Sequence, residues 1–335
     1  MQKRATFLVT GGGGFLGSVL VPMLLADGHK VKVLDRFFWG TKVFNPHLSN
    51  KNLTLIEADT RSFPAKILKN VDTVIDLAAL SNDPTGELNP KITLEINHKA
   101  RLRTAKLAKK MGARRYILAS SCSVYGFKEG IIDEKSSTSP VTTYARASLL
   151  AEQSVLPLSD KKFSVTVLRQ GTLYGLSPRM RFDIVLNTMV LSFFKNNFIS
   201  VSGGEQWRPI LHVKDSARAF VEVASAPVSK VNGQIFNVGS NKQNYKIKDL
   251  AKEIMLAVGD ESKIITQDVE LDFRSYRVSF NKIKSILGFK TIHTPRNTAK
   301  EIMLALKKGE VSDSPETRTI EWYKYLISKN KKLLE

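Results

Sequence analysis

Short apolar runs recur through the first half of the chain: ATFLVTG, KVKVLD, LTLIEAD, DTVIDLAA, RRYILASS and FSVTVLR. They are rich in β-branched residues, and a strand that reads apolar at nearly every position is one covered on both faces. Between them lie helix-length amphipathic segments, among them Phe15–Asp27, Ile92–Met111 and Thr142–Leu156. This alternation predicts βαβ units and a doubly wound parallel α/β sheet. After about Gly171 the pattern changes. Turn signals accumulate (GLSPRMR, SGGEQWRP, APVSKVNG, GSNKQNY), strands shorten, and two further helices are predicted over Ile247–Val258 and Thr298–Lys307. The division expected is a first unit of residues 1–170, to which the chain returns around 209–240, and a smaller mixed α/β lobe of residues 171–208 and 241–335. No flexible linker separates them, so a cleft between the lobes is the expected ligand site.

Composition narrows the classes. The chain has 335 residues, enough for one large domain or a large and a small one sharing an interface. It has no apolar run of about 18 residues or more, so no membrane helix is predicted. The first strand begins without a signal-peptide pattern, which gives a cytoplasmic expectation. A single cysteine, Cys122, excludes an internal disulfide and a thiolate metal site, and no metal is expected. Lys and Arg number 51 against 31 Asp and Glu, a net charge of +20, which attracts polyanions. The basic residues are dispersed, and the densest cluster, KNKKLLE, reads as a solvated tail. Nucleic acid is therefore not the expected partner, whereas a phosphate-rich small ligand fits the sign.

The first strand runs into FLVTGGGGFLGSVL, with Gly11, Gly14 and Gly17 in G-x-x-G-x-x-G spacing ahead of a helix. Such a turn needs glycines for tight geometry and close backbone approach, and the helix N-terminus then receives a pyrophosphate on free N–H groups. Asp35 ends the next strand, 18 residues after Gly17. A carboxylate there accepts hydrogen bonds from ribose hydroxyls and repels a 2′-phosphate, which favours NAD over NADP. Arg36 beside it leaves room for NADP. The sheet is thus expected to be Rossmann-like, with NAD as cofactor.

TGGGGFLG, DLAAL, SSCSVYG, TYARASLLAE and RPILHVKDSARAF, in that order, resemble the extended short-chain dehydrogenase/reductases. More narrowly the chain resembles the nucleotide-sugar epimerases and dehydratases, UDP-glucose 4-epimerase-like members above all, from about residue 5 to about residue 310. The resemblance implies that Tyr144 is the acid/base that exchanges a proton with a sugar hydroxyl while NAD exchanges a hydride with the same carbon. It implies that Ser121 hydrogen-bonds the same oxygen, a task suited to a hydroxyl because it donates and accepts. Asp59 matches the residue that reads the adenine amino group, and Leu77, Ala78 and Ala79 line the cofactor. Further cofactor contacts are implied at Phe15, Leu16, Arg36 and Thr60, and substrate contacts at Ser81, Ser123 and Thr172. Asn187, Arg208 and Arg274 match an asparagine and two arginines that hold the sugar diphosphate, where guanidinium forks offer paired donors and permanent charge. A homodimer through the helices at 92–111 and 142–156 is implied as well.

Three features bear on the reaction. The 4,6-dehydratases carry a glutamate two residues before the VYG tyrosine, Tyr125, or an aspartate before it. This chain has Cys122 and Ser123 there, which favours reversible oxidation at C4, as a 4-epimerase or a C4 oxidoreductase, over dehydration or acid-assisted decarboxylation. SPRMRFDIVLN and RSYRVSFNKI also resemble GDP-heptose 4-dehydrogenases, so UDP-, GDP- and dTDP-sugars all stay open. Finally, the family pattern is Tyr-x-x-x-Lys, and position 148 is Ser. A unit charge about 4 Å away at an effective dielectric of about 20 is worth roughly 4 kcal/mol, or about three pKa units. Without it a tyrosine returns toward its ordinary value near 10, with roughly one molecule in a thousand ionised at neutral pH. Ser148 is expected to keep a ribose contact without the charge, and Ser148→Lys to raise hydride transfer by orders of magnitude. The alternatives are another cation in place of the lysine, an introduced substitution that slows turnover, and a weak or inactive NAD- or nucleotide-sugar-binding protein of the same fold. A dehydratase is a further alternative.

Overall fold

The computed structural model describes residues 4–259, 263–267, 275–331 and 333–334. The chain starts with β1 (Thr6–Thr10), the glycine turn and α1 (Gly17–Ala26), then β2 (Lys30–Asp35), β3 (Leu53–Glu57) and β4 (Thr73–Asp76). A short helix, α2 (Asp83–Gly86), precedes α3 (Pro90–Leu94), which passes through a π-helical turn at Glu95–Ala100 into α4 (Arg101–Lys110). Next come β5 (Arg115–Ser121), β6 (Ile131–Ile132), α5 (Thr143–Val155), β7 (Ser164–Gln170) and β8 (Thr172–Tyr174). The second half contains α6 (Val185–Asn196), β9 (Ile199–Ser202), β10 (Trp207–His212), α7 (Val213–Ser225), α8 (Val228–Val231) and β11 (Gln234–Val238). It closes with β12 (Asn244–Lys246), α9 (Ile247–Val258), β13 (Ile264–Gln267), β14 (Arg277–Val278), α10 (Asn281–Leu287), α11 (Pro295–Lys307) and α12 (Thr319–Lys329).

Seven parallel strands form the main sheet in the order β11-β7-β5-β4-β1-β2-β3. Its apolar strands are buried on both faces: Val9, Val33 and Ile75 pack in one core, and Leu8, Val74 and Val165 in the other. Strand order reverses at β1, between β2 and β4, and this is where an open α/β sheet leaves a crevice beyond its carboxyl ends. The register places Thr10 beside Asp76, and the Thr10 hydroxyl donates to the Asp76 carboxylate at 2.6 Å, tying the two strand ends that flank the crevice. β11 carries residues 234–238 into this sheet, and α7 packs on α1.

The remaining strands form three small sheets, β12-β10-β8, β13-β9 and β14-β6. A separate core built on Phe182, Leu186, Val190, Ile254, Met255 and Ile302 supports the first two, whereas Ile132 and Val278 of the third pack in a main-sheet core. The C-terminal segment returns to the main sheet. Trp322 Nε1 donates to the Phe38 carbonyl at 2.8 Å, and the Tyr323 ring stands edge-on to Trp39 at 5.2 Å. Arg36 and Arg61 donate to the carbonyls of Leu333 and Leu334 at 3.0 and 2.8 Å.

Candidate active site

A cavity of about 670 Å³ opens between the carboxyl edge of the main sheet and the smaller lobe. Its floor is the glycine turn. Gly11 has φ +67°, and a Cβ there would lie 2.7 Å from the Ala78 nitrogen; a Cβ on Gly17 would lie 2.5 Å from the Gly12 backbone. Glycine is therefore obligatory for the close approach of turn, β4 end and helix. α1 starts without a side-chain cap, so its N-terminal N–H groups face the cavity with the positive end of the helix dipole. Asp35 closes the turn from the side, accepting from Gly13 N at 2.9 Å and Phe37 N at 2.8 Å. Burial pushes its carboxyl up, against the pull of those N–H donors. The cradle fits a dinucleotide: bare backbone for a pyrophosphate, then an acidic group for a ribose.

Arg36, Asp59 and Thr60 follow along the same wall. Asp59 is clamped by Arg61 and Arg36, each at 2.7 Å. Burial opposes ionisation, yet these hydrogen bonds hold its carboxyl down at about 2. Phe15, Leu16, Leu77, Ala78, Ala79 and Ser81 also line the cavity. At its far end stand Ser121, Ser123, Tyr144, Thr172 and Arg208. Ser121 lies at the end of β5, where its hydroxyl accepts from Ser123 N at 3.1 Å, and it hydrogen-bonds the Tyr144 hydroxyl. The Ser123 hydroxyl is buried and unpartnered among the described residues, so it is available to a ligand group. Tyr144 sits in the first turn of α5, whose Thr142 cap accepts from Ala145 N at 3.2 Å. Burial pushes the Tyr144 phenol up, and the Arg101 guanidinium is the strongest influence drawing it back.

Two residues expected at the ligand are elsewhere, and a third falls outside the described residues. Ser148 does not reach the cavity. It is 1% exposed and its Oγ donates to the Tyr144 carbonyl at 2.9 Å, because a short hydroxyl inside a helix bonds the carbonyl one turn back. Asn187 is fully buried, and its amide is consumed by the backbone: Oδ1 accepts from Gly175 N at 2.9 Å, while Nδ2 donates to the carbonyls of Gly175 and Arg181. It shapes the loop that carries Arg181 and makes no cavity wall. Arg274 lies outside the described residues. Cys122 is buried against the Arg169 carbonyl, and burial pushes its thiol up, as for an inert packed cysteine.

The cavity also contains residues that the sequence did not single out. Arg101 lines it from the start of α4, and Asp83 does so beside Tyr144. Arg181 forms an ion pair with Asp183 at 2.8 Å. Arg179 lies over the Trp39 ring at 3.9 Å, and burial, aided by Arg181, lowers it to about 9. Tyr323 and Leu334 come from the C-terminal segment. Their spacing in sequence gives no local signal, since helix packing and chain return bring them together. The paired basic residues in GLSPRMR are the one cue that was present.

A glycine-floored crevice at the switch point, with the Asp35 carboxylate at one end and a Ser/Tyr pair at the other, fits a dinucleotide-dependent enzyme class. The profile of the NAD dependent epimerase/dehydratase family matches residues 7–239. The chain belongs to this family, and its cofactor is NAD. Among relatives, a UDP-glucuronic acid decarboxylase 1 of Xenopus tropicalis is 30% identical over 301 residues, covering 87% of this chain and 69% of that protein. The structure of MoeE5 in complex with UDP-glucuronic acid and NAD has a TM-score of 0.79 and 26% identity, covering 91% of this chain and all of that one. A UDP-N-acetylglucosamine 4-epimerase from Methanobrevibacter ruminantium shares the fold with a TM-score of 0.81 at 23% identity, over 92% of this chain and 99% of that one.

Proposed function

We propose that the protein oxidises a nucleotide-diphosphate sugar reversibly at C4, as a 4-epimerase or a C4 oxidoreductase. The observation that carries this reading is the Ser121–Tyr144 pair in one cavity with the glycine turn and Asp35, with Ser123 at the position of the dehydratase carboxyl. NAD, when bound, accepts the hydride. Tyr144 takes the proton from the C4 hydroxyl, and Ser121 follows the same oxygen from alcohol to ketone, donating to the carbonyl as it forms. Arg208, on the lobe side of the cavity, carries a guanidinium suited to a diphosphate. MoeE5 with its UDP-sugar and NAD, and the UDP-sugar decarboxylases among the relatives, support a nucleotide sugar as substrate. A homodimer through α4 and α5 belongs to the same proposal.

The test is a panel of UDP-, GDP- and dTDP-linked sugars, followed by NADH absorbance and by NMR of the recovered sugar. A C4 epimer or a 4-keto-sugar supports the proposal. Carbon dioxide release from a UDP-uronic acid, or a 4-keto-6-deoxy product, assigns the chain to one of the other branches of its family. NAD binding without turnover of any sugar assigns it to a binding role.

A further inference from the structure

The family pattern puts a lysine one turn after the tyrosine, and this chain has Ser148 bonded back into its own helix. The cavity that holds Tyr144 nevertheless contains a buried cation. Arg101 is 3% exposed and shares the cavity wall with Tyr144. Its Nε donates to the carbonyl of Ala78 at 3.2 Å, which fixes the guanidinium at the end of β4. The buried Arg169 and Arg181 each face a carboxylate, Glu152 and Asp183. Among the described residues Arg101 forms no such ion pair, so its charge is not cancelled at contact distance.

The helix that carries Arg101 has a device that aims it. The turn Glu95–Ala100 is π-helical and ends at the residue before Arg101. One extra residue in a turn rotates everything after it by roughly 100° relative to an unbroken α-helix, and such turns concentrate at functional sites. The turn is anchored in place. Asn97 is fully buried inside it, accepting from Leu80 N at 2.9 Å and donating to Leu80 O at 3.0 Å. α4 and the π turn both pack against α5, so the reoriented face of α4 meets the helix of Tyr144.

We propose that Arg101 is the cation that assists Tyr144, delivered from α4 in place of the lysine absent from α5. The inference rests on Tyr144 as the acid/base. A guanidinium stays charged at every working pH, and an opposite charge within about 4–6 Å favours the ionised form of an acid by roughly one to three pH units. Burial leaves the Tyr144 phenol raised; among the charges that act on it Arg101 is the largest and draws it down, helped by Arg181 and opposed by Asp83. Ser148, bonded back into its own helix, supplies no charge of its own. Ser148→Lys in the natural chain is accordingly expected to bring no gain, which revises the expectation drawn from the sequence.

The test uses protein labelled with 3-fluorotyrosine and followed by 19F NMR against pH without any ligand, with Tyr144→Phe assigning the resonance. In Arg101→Met the Tyr144 resonance is expected to titrate at higher pH than in the natural chain, and in Arg101→Lys close to it. The double variant Arg101→Met/Ser148→Lys is expected to return the titration towards the natural midpoint. Arg101→Gln makes the same comparison should the methionine variant fail to fold. With an active sugar in hand, single-turnover NAD reduction at neutral pH is expected to fall roughly 10- to 1000-fold in Arg101→Met and to recover in the double variant. Unchanged midpoints across the charged and uncharged variants would overturn the proposal, and a merely structural arginine would show this result with a lowered melting temperature. Because the titration needs no sugar, its outcome stands apart from the sugar panel.

Discussion

Tyr144 performs the proton transfer in the proposed reaction, so removing its hydroxyl separates chemistry from binding. Tyr144→Phe is expected to lower turnover by roughly 10²- to 10⁴-fold while calorimetry still finds NAD bound, because Asp35 and the glycine turn are untouched. Equal loss of NAD affinity and rate would contradict this assignment. At this scale the sequence was informative wherever a residue's place in the cavity follows from its own neighbours in the chain. Gly11, Gly17 and Asp35 are set by a turn and the next strand end, and Ser121 and Tyr144 by a strand end and a helix start. Asn187 and Ser148 show the limit. Their identities suited a ligand, but an amide beside a bare loop backbone and a hydroxyl inside a helix each found a nearer carbonyl. Arg101 and Asp83 had no local signal at all.

Helix α5, which carries Tyr144, is tied to the strands beneath it by a buried charge network. Glu152 is 1% and Arg169 5% exposed at the side chain, and they pair at 2.6 Å. The Ser120 hydroxyl donates to the same carboxylate, and Arg169 reaches the Tyr125 hydroxyl at 3.0 Å. Breaking one partner strands the other charge, so Glu152→Ala or Arg169→Ala is expected to cost about 3–5 kcal/mol, read from denaturant unfolding. A second element shows a pH effect. His212 caps α7 by accepting from Lys214 N on Nδ1 at 3.1 Å, with its ring stacked on His293 at 4.1 Å. Protonation would remove that acceptor, and burial lowers the imidazole to about 3. The unfolded chain takes up this proton near about 6.5. The group therefore costs nothing above that pH, and stability falls by about 1.4 kcal/mol per pH unit as pH drops towards 3. His212→Asn should flatten that slope in urea melts between pH 7 and 4. The strands of the first half were legible because they are apolar on both faces. The π turn was not, since Ile92–Met111 keeps a helical pattern through it and an added residue leaves no mark in composition.

On the scale of the whole molecule, the cores of the main sheet and the separate core of the small sheets meet at one cavity, and neither side alone encloses it. The sheet core places the glycine turn, Asp35 and Tyr144; the second core holds α6 and β10, next to Arg181 and Arg208. The sequence shows a change of rhythm after Gly171, but not how the C-terminal residues return to the start. That return has a consequence for the cofactor. Tyr323 and Leu334 form part of the cavity wall, and the two arginines that hold Asp59 also hold the last described carbonyls. A bound dinucleotide would leave only when this segment lets go. Ending the chain after Lys329 removes two charge-assisted hydrogen bonds, each worth about 1.5–3 kcal/mol, and is expected to speed exchange of labelled NAD roughly tenfold or more. On the 4-epimerase branch of the proposal the hydride returns to the carbon it came from, and such a cycle has no use for cofactor turnover with the medium. On this account NAD should survive purification with the protein, present as a stoichiometric part of each chain rather than as something the assay must supply.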